Sequence, residues 1–168
     1  MVNVKSSGLT KSIGVAQIPG DGNCLFAAMA HQLFYSHSRD LARQAARLRA
    51  EVVSHIKANF DRYKPAIEGR IYEEQESRSG MKLTEQQVNA KVKSFLSDSL
   101  SKSGYYGGYE SLSAISEIYN VNILLFREND DFRFVNEFNN AYEGFACVAY
   151  RSNGYGRYNH YDSVVSIM

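Results

Sequence analysis

The apolar positions in the first half of the chain repeat with helical spacing. The segment Cys24–Phe34 is apolar on nearly all sides, which predicts a central helix buried over most of its surface. A second helical face follows, with apolar residues three and four positions apart: Leu41, Ala45, Leu48, Val52 and Ile56. Ser38 is expected to cap this helix, and Asp40 to lie in its first turn.

Two more helices are predicted further along the chain. Thr84 and Gln87 have the spacing of a capping box, in which each side chain bonds a free N–H group of the other residue. The helix after them has its apolar face at Val88, Val92, Leu96 and Leu100. Residues 109–119 are expected to form another helix. Residues 57–80 are polar and charged and are interrupted by Pro65 and Gly69, so short helical pieces and a mobile connection are expected there.

The last third of the chain changes to short segments rich in strand-forming residues. Strands are predicted at 121–126, 132–135, 145–150 and 161–167, with a short edge strand at 13–18. Helices followed by strands indicate an α+β (mixed α/β) fold, a small central β-sheet flanked by helical layers. We expect residues 1–12 to form a polar N-terminal arm and residues 13–168 to form a single domain.

The composition is that of an ordinary globular protein and narrows the classes of function. The 168 residues are 44% hydrophobic and 22% charged, enough for a core without disulfides or metal ions. The net charge of +1 gives no reason to expect a nucleic-acid partner. We interpret one arginine cluster as the solvated face of a helix: Arg39, Arg43, Arg47 and Arg49.

Other partners and cofactors are also not expected. We see no signal peptide and no apolar run long enough to cross a bilayer, so no membrane partner is predicted. The acidic residues lack metal-ligand spacing, and no phosphate-binding loop is present, so we expect no metal and no cofactor. We expect the protein to be a monomer.

The chain has two cysteines, Cys24 and Cys147. Two cysteines do not make a disulfide scaffold, which favours a reducing compartment such as the cytoplasm, or the host cytosol for a bacterial or viral protein. Cys147 lies in a predicted strand and is interpreted as a small buried hydrophobic residue. Cys24 instead lies where a glycine-rich turn becomes a helix.

That position suits a cysteine nucleophile. Free N–H groups at a helix start, together with a nearby imidazolium, can lower a thiol pKa to about 3.5–7.5. The same N–H groups can bind the oxyanion formed when the thiolate attacks a carbonyl. We expect Gly20 and Gly22 to turn loop N–H groups toward a substrate, because glycine tolerates φ above zero.

The partner base would be one of four histidines: His31, His37, His55 and His160. His160 precedes the last predicted strand, and Asp162 follows two positions later. Residues i and i+2 of a strand share a face, so both side chains can enter one site, where an aspartate would orient the imidazole. The pattern alone leaves another interpretation open, in which Cys24 is a buried structural thiol and His160 an ordinary strand-end histidine.

Three segments resemble motifs of the ovarian-tumour (OTU) family of cysteine proteases. The first is Asp21-Gly22-Asn23-Cys24-Leu25-Phe26, followed by Ala28. The middle segment is Tyr106-Gly107-Gly108, followed by Leu112, Ala114, Ile115 and Val121-Asn122-Ile123. The last is His160-Tyr161-Asp162-Ser163-Val164. The chain departs from the family pattern twice, with Tyr106 in place of the usual tryptophan and Ser111 in place of the usual glutamate, although Glu110 stands one position earlier.

The resemblance implies a role for each matching residue. Cys24 would be the nucleophile, His160 the general base and Asp162 the acid that orients it. Asp21 heads the loop whose backbone, from Asp21 through Gly22 to Cys24, would form the oxyanion hole, with Asn23 and Cys24 lending their N–H groups. The aspartate at the position of Asp21 has also been viewed as the third catalytic residue in some members of the family.

The resemblance also implies a substrate. The expected activity is that of a deubiquitinase, which cleaves bonds to the C-terminus of ubiquitin or polyubiquitin through a thioester. We expect a narrow groove lined by Tyr106, Gly107, Gly108, Tyr155, Tyr158 and Asn159, with residues 61–84 as a candidate contact for the body of ubiquitin. Two alternatives remain: a non-catalytic ubiquitin-binding module of the same fold, or a cysteine protease for a ubiquitin-like modifier or a viral polyprotein.

Overall fold

The computed structural model describes residues 2–6, 9–34, 39–78, 82–127, 142, 144–152 and 159–167. Its helices are α1 (Cys24–Phe34), α2 (Leu41–Ala58), α3 (Phe60–Arg78), α4 (Glu85–Phe95) and α5 (Tyr109–Tyr119). Its strands are β1 (Val2–Ser6), β2 (Leu9–Ala16), β3 (Val121–Arg127), β4 (Gly144–Ser152) and β5 (Asn159–Ile167). The expected α+β fold is therefore confirmed.

The strands form one five-stranded mixed sheet in the order β1-β2-β5-β4-β3. β3 and β4 run parallel, and the other neighbours are antiparallel. The prediction of an edge strand at 13–18 was wrong, because β2 lies between β1 and β5. The β1–β2 hairpin takes up most of the residues expected to form a polar arm, so the expected boundary at residue 13 falls inside β2.

Helix α1 occupies the centre of the molecule, as its apolar surface predicted. It packs against α2 on one side and against β4 and β5 on the other. Three of its large side chains are almost completely buried: Leu25, Phe26 and Met29. Burial of such a side chain contributes roughly 1.5–3 kcal/mol, so α1 anchors the helices on the sheet.

Helix α3 replaces the broken segment expected at residues 57–80. Tyr63, Ile67 and Ile71 are all buried and stand four positions apart, which gives the helix a continuous apolar seam against the core. Pro65 lies inside the helix but is exposed, in the second turn, where it removes one backbone hydrogen bond. The apolar seam outweighs that local loss.

Helix α4 begins as the sequence predicted. Thr84 Oγ1 accepts from the N–H group of Gln87 at 3.2 Å, and Gln87 Oε1 accepts from the N–H group of Thr84 at 2.9 Å, which confirms the capping box. The helix continues into one π-helical turn, Leu96–Leu100, and the four predicted apolar positions are all buried: Val88, Val92, Leu96 and Leu100.

Some sequence predictions fall outside the described residues, namely the Ser38 cap and the strand at 132–135. Asp40 directly precedes α2 and makes no side-chain cap bond, so it does not lie in the first turn as expected. Within the described ranges no helix has the length and apolarity needed to cross a membrane. The same ranges hold no cluster of histidine, cysteine and acidic side chains suited to a metal ion.

Candidate active site

Cys24 is the first residue of α1 and is delivered by the turn at 19–23. Its N–H group donates to the carbonyl oxygen of Asp21 at 3.2 Å, which closes the turn against the helix. The residue is 1% exposed. The turn therefore places a thiol at the start of the central helix, but beneath the surface.

His160 and Asp162 project from β5 to the same side and are joined by a hydrogen bond. His160 Nε2 lies 2.8 Å from Asp162 Oδ1. The same carboxylate oxygen accepts from the backbone N–H group of Ile18 at 3.0 Å. Asp162 is 2% exposed, so the imidazole is tied to a buried carboxylate that also holds the chain just before the Cys24 turn.

The thiol and the imidazole face the same turn of the chain. The backbone of Tyr161, the residue after His160, hydrogen-bonds the Cys24 sulfur. A Cβ built on Gly20, in the same turn, would stand 3.9 Å from His160 Nδ1. The structure therefore brings β5 and the Cys24 turn together, with the Nδ1 edge of the imidazole toward the turn.

The pKa of Cys24 is raised above its usual value of 9.0, which is opposite to the sequence-based expectation. Burial is the largest cause, since it disfavours the charged thiolate. The backbone N–H groups of Tyr161, Leu25 and Cys24 act in the other direction, and the carboxylate of Asp21 adds to the rise. The helix N-terminus does favour the thiolate, but burial outweighs it.

The expected oxyanion-hole donors are engaged inside the turn. Asp21 is exposed, and its Oδ1 accepts from the N–H group of Asn23 at 2.9 Å. The N–H group of Cys24 donates to the carbonyl of Asp21, as described above. To bind an oxyanion, these two N–H groups must exchange their partners within the turn for the substrate.

Gly22 is required for a different reason than the one expected. Neither Gly20 nor Gly22 has φ in the left-handed region. A Cβ on Gly22 would stand 1.6 Å from the carbonyl oxygen of Gly104, so the backbones of the two segments touch at this point. Gly104 itself has φ of 86°. Close approach of residue 104, and not φ, explains the glycine at position 22.

Arg49 is a component of the site that the sequence analysis misplaced. It was assigned to a solvated helix face but is 4% exposed, and its guanidinium lies under the Cys24 turn. The signal was present in the sequence, because position 49 lies between Ala45 and Val52 on the buried face of α2. Arg43 and Arg47 are exposed, as expected.

The middle segment packs beside the turn. Gly107 is buried, and a Cβ there would stand 3.2 Å from the ring of Phe26. Arg70 of α3 binds the carbonyl oxygen of Tyr106 and the carboxylate of Glu110. Glu110 also accepts from the N–H group of Gly108 at 3.0 Å, so a buried carboxylate fixes this segment although it stands one position early.

The remaining groove candidates, the other three histidines and Cys147 are either bonded elsewhere in the fold or lie outside the described residues. Asn159 pairs with Ser152 in the sheet, whereas Tyr155, Tyr158 and His37 lie outside the described residues. His31 Nδ1 lies 2.7 Å from the Ser163 hydroxyl. His55 Nε2 lies 2.9 Å from Glu117, an orienting acid that the sequence did not indicate. Cys147 is half-buried, and its N–H group donates to Gln32.

Comparison with known proteins gives a consistent picture. A family model described as OTU-like cysteine protease matches residues 19–161. No curated protein sequence matches the chain. The solved OTU domain of OTUD1 has a TM-score of 0.59 at 20% identity and covers 93% of this chain and 86% of that one.

Two further solved structures share the fold. The viral OTU domain protease from Farallon virus has a TM-score of 0.59 at 19% identity, covering 94% of this chain and 89% of that one. An ovarian-tumour domain solved in complex with ubiquitin has a TM-score of 0.53 at 20% identity, covering 99% of this chain and 76% of that one.

Proposed function

The chain belongs to the family of OTU-like cysteine proteases, and on this premise we propose that it is a deubiquitinase with Cys24 as its nucleophile. The observation that carries the proposal is the meeting of the Cys24 turn with β5. There the thiol contacts the backbone next to His160, and His160 is bound to Asp162 at 2.8 Å. A nucleophile, a base and an orienting acid are thus supplied from two segments.

The hydrogen bond between His160 and Asp162 supports Nδ1 as the ring nitrogen that acts as the base. A carboxylate only accepts hydrogen bonds, so Nε2 of the neutral imidazole carries the proton. Nδ1 then has the free lone pair, and it is the nitrogen that faces the Cys24 turn. Asp162 would also stabilise the imidazolium once Nδ1 has taken a proton.

In the acylation step, the thiol of Cys24 attacks the carbonyl carbon of the last glycine of ubiquitin. His160 Nδ1 accepts the thiol proton as the carbon–sulfur bond forms. The carbonyl oxygen becomes an oxyanion, which accepts from backbone N–H groups of the Asp21–Cys24 turn. When the bond to the lysine amine breaks, His160 gives the proton to the departing nitrogen, and a thioester remains.

In the deacylation step, water attacks the thioester carbon while His160 takes its proton. The carbon–sulfur bond breaks, the sulfur leaves as thiolate and recovers the proton from His160, and ubiquitin departs with a free carboxylate. Because burial raises the pKa of Cys24, the resting enzyme holds a neutral thiol, and His160 acts as a base during the attack itself.

The buried thiol requires that the site open for a substrate. Cys24 is 1% exposed, so a peptide carbonyl cannot reach the sulfur without displacement of the residues around it. The exchange of N–H partners in the Asp21–Cys24 turn belongs to the same rearrangement. We infer that binding of the ubiquitin C-terminus induces this opening, so that hydrolysis of other peptides is suppressed.

Ubiquitin is proposed as the substrate on the strength of the family and of the related domain solved with ubiquitin. The proposed groove residues remain those inferred from the resemblance: Tyr106, Gly107, Gly108, Tyr155, Tyr158 and Asn159. Residues 61–84 remain the candidate contact for the body of ubiquitin. Most of that range is the surface-lying helix α3, whose exposed Tyr72 offers apolar area.

A ubiquitin derivative with an electrophile at its C-terminus tests the proposal. We expect a covalent adduct, visible as a mass increase of one ubiquitin, that is lost in Cys24→Ala and kept in Cys147→Ala. A folded protein that binds ubiquitin without forming the adduct would instead be the non-catalytic binding module. Burial of the Cys24 thiol would then explain why the adduct does not form. An adduct only with probes made from other modifiers would indicate a different substrate.

A further inference from the structure

Arg49 connects three separate segments at the base of the candidate site. Its Nη1 donates to the carbonyl oxygen of Leu100 at 2.8 Å, at the end of the π-helical turn. Its Nη2 donates to the carbonyl oxygen of Tyr105 at 2.7 Å, to Asn23 Oδ1 at 2.8 Å and to the carbonyl oxygen of Gly22 at 3.2 Å. One guanidinium therefore fastens the Cys24 turn to the segment after α4.

The side chain of Asn23 extends the same network. Its Oδ1 accepts from the N–H group of Gly104 at 2.9 Å as well as from Arg49, and its Nδ2 donates to the Ser103 hydroxyl at 3.3 Å. Gly22 touches the carbonyl of Gly104 directly. The two residues that precede Cys24 are thus held by Arg49 and by residues 103 and 104, in addition to the bond between Asn23 N–H and Asp21.

Arg49 also brings a positive charge against the turn that carries the thiol. Burial lowers the pKa of Arg49 to about 10, so it is charged at neutral pH. Negative charge on Asp21 or Cys24 stabilises the charged arginine. Such an interaction is reciprocal, so the arginine also favours the thiolate. Its ring contact with Phe26, 4.3 Å from the guanidinium carbon to the ring centre, keeps the charge in a dry position.

We propose that Arg49 is a positioning residue for the nucleophile, which fixes the turn before Cys24 through Gly22 and Asn23 and holds a buried positive charge against that turn. The inference rests on the proposed role of Cys24. A lysine at this position would retain the positive charge. It would lack the planar guanidinium donors that bond four acceptors, namely the Leu100, Tyr105 and Gly22 carbonyl oxygens and Asn23 Oδ1. Arginine is therefore required at position 49 for geometry as well as for charge.

Several other ionisable groups face the thiol or the arginine. Asp21 opposes the thiolate from the turn, Tyr161 lies near the thiol on β5, and His160 Nδ1 lies near Gly20 of the same turn. Arg70 of α3 lowers the pKa of Arg49 through like-charge repulsion. All of these groups are kept in a variant at position 49, and the comparison of Arg49→Met with Arg49→Lys, which keeps the charge, separates the effect of the charge on Cys24 from that of the lost hydrogen bonds.

The test compares Arg49→Met, Arg49→Lys and the control Arg43→Met, which removes an arginine that is 76% exposed on the same helix. The rate of Cys24 alkylation by iodoacetamide is measured against pH, and mass spectrometry of the peptide that contains Cys24 excludes signal from Cys147. The kcat and KM for ubiquitin-amide hydrolysis are measured in parallel. The alkylation readout needs no ubiquitin, so it decides on Arg49 even if the protein does not cleave ubiquitin.

For Arg49→Met we expect the alkylation midpoint to move to higher pH, with a rate at pH 7 lower by roughly threefold or more. We expect kcat to fall on the order of 10- to 100-fold from misplacement of the sulfur, while KM changes little. Arg49→Lys should keep the wild-type midpoint and lose part of kcat. Arg43→Met should match the wild type in both measurements.

An unchanged midpoint in folded Arg49→Met, with any loss of kcat equal to the loss of folded protein, would overturn the proposal and leave Arg49 a purely structural residue. If Arg49→Met does not fold, Arg49→Lys decides the positioning role alone. A wild-type kcat in Arg49→Lys would contradict the positioning role of Arg49. A lowered kcat with an unchanged alkylation midpoint would support that role.

Discussion

Oδ1 of Asp162 accepts from the backbone N–H group of Ile18 and lies 2.8 Å from Nε2 of His160. One buried oxygen thus orients the imidazole and anchors the chain between β2 and the Cys24 turn. Asp21, the other aspartate proposed as a third member of the site, is exposed and bonds the N–H group of Asn23. The geometry supports Asp162 as the residue that orients His160.

Variants at position 162 separate the role of Asp162 in orienting the His160 imidazole from its role in the stability of the fold. In Asp162→Ala the N–H group of Ile18 loses its partner, which is expected to cost about 1–3 kcal/mol in the free energy of unfolding. The imidazole also loses its orientation, and kcat should fall about 100-fold or more. Urea denaturation and hydrolysis of a fluorogenic ubiquitin amide measure the two effects.

Asp162→Asn is the matched variant, because an amide oxygen can accept from Ile18 as the carboxylate does. We expect its stability to stay near that of the wild type, whereas kcat falls because a neutral amide stabilises an imidazolium less well. An unchanged kcat in both variants at position 162, together with a lower kcat in Asp21→Asn, would show that Asp21 and not Asp162 is the third catalytic residue.

The sequence predicted the elements that carry this site, and the reasons are visible in particular segments. α1 and α5 have the predicted bounds, because continuous apolar periodicity and flanking turn residues mark both. α3 was missed because the prediction weighed Pro65 and the charged exposed positions above the spacing of Tyr63, Ile67 and Ile71. The position of β2 inside the sheet depends on which strands pair with it, and the local sequence pattern does not reveal those partners.

The titration of Cys24 is the second testable consequence. Because burial raises the thiol pKa, the thiol remains protonated to higher pH than an exposed cysteine, and less thiolate is present at pH 7. In His160→Ala, where no imidazole assists, we expect the alkylation midpoint of Cys24 to lie above the usual 9.0. The rate should therefore still be rising at pH 9.

Asp21→Asn provides the matched control for this measurement. The carboxylate of Asp21 raises the pKa of Cys24, so its neutralisation should move the midpoint to lower pH and speed alkylation at pH 7. A midpoint of His160→Ala below 9.0 would mean that the helix N-terminus, and not burial, controls the thiol.

The sequence around Cys24 predicts a lowered thiol pKa because the features that favour a thiolate are local. The helix start and the glycine-rich turn are local and can be recognised from consecutive residues, and both favour a thiolate. Burial of Cys24 comes from segments distant in sequence, such as β5 with Tyr161, and no local pattern records it. Arg49 differs, since its place on the buried face of α2 was visible in the spacing, whereas its acceptors lie on segments that only the fold brings together.

The approach of Gly22 to Gly104 gives the last prediction. A Cβ at position 22 would stand 1.6 Å from the carbonyl oxygen and 2.2 Å from the carbonyl carbon of Gly104, and backbone atoms cannot rotate aside. In Gly22→Ala the turn must therefore shift, and kcat should fall on the order of 100-fold, because displacement of a nucleophile by about 1 Å has effects of that size.

Gly69→Ala is its control, because a Cβ at position 69 meets no atom within 4 Å and the residue lies within α3. We expect wild-type kcat in that variant and a gain of about 0.5–1 kcal/mol in the free energy of unfolding, from the better helix propensity of alanine. Urea denaturation and kcat for both variants complete the measurement. A folded Gly22→Ala protein with wild-type turnover would show that the turn before Cys24 need not be held against residue 104 for catalysis.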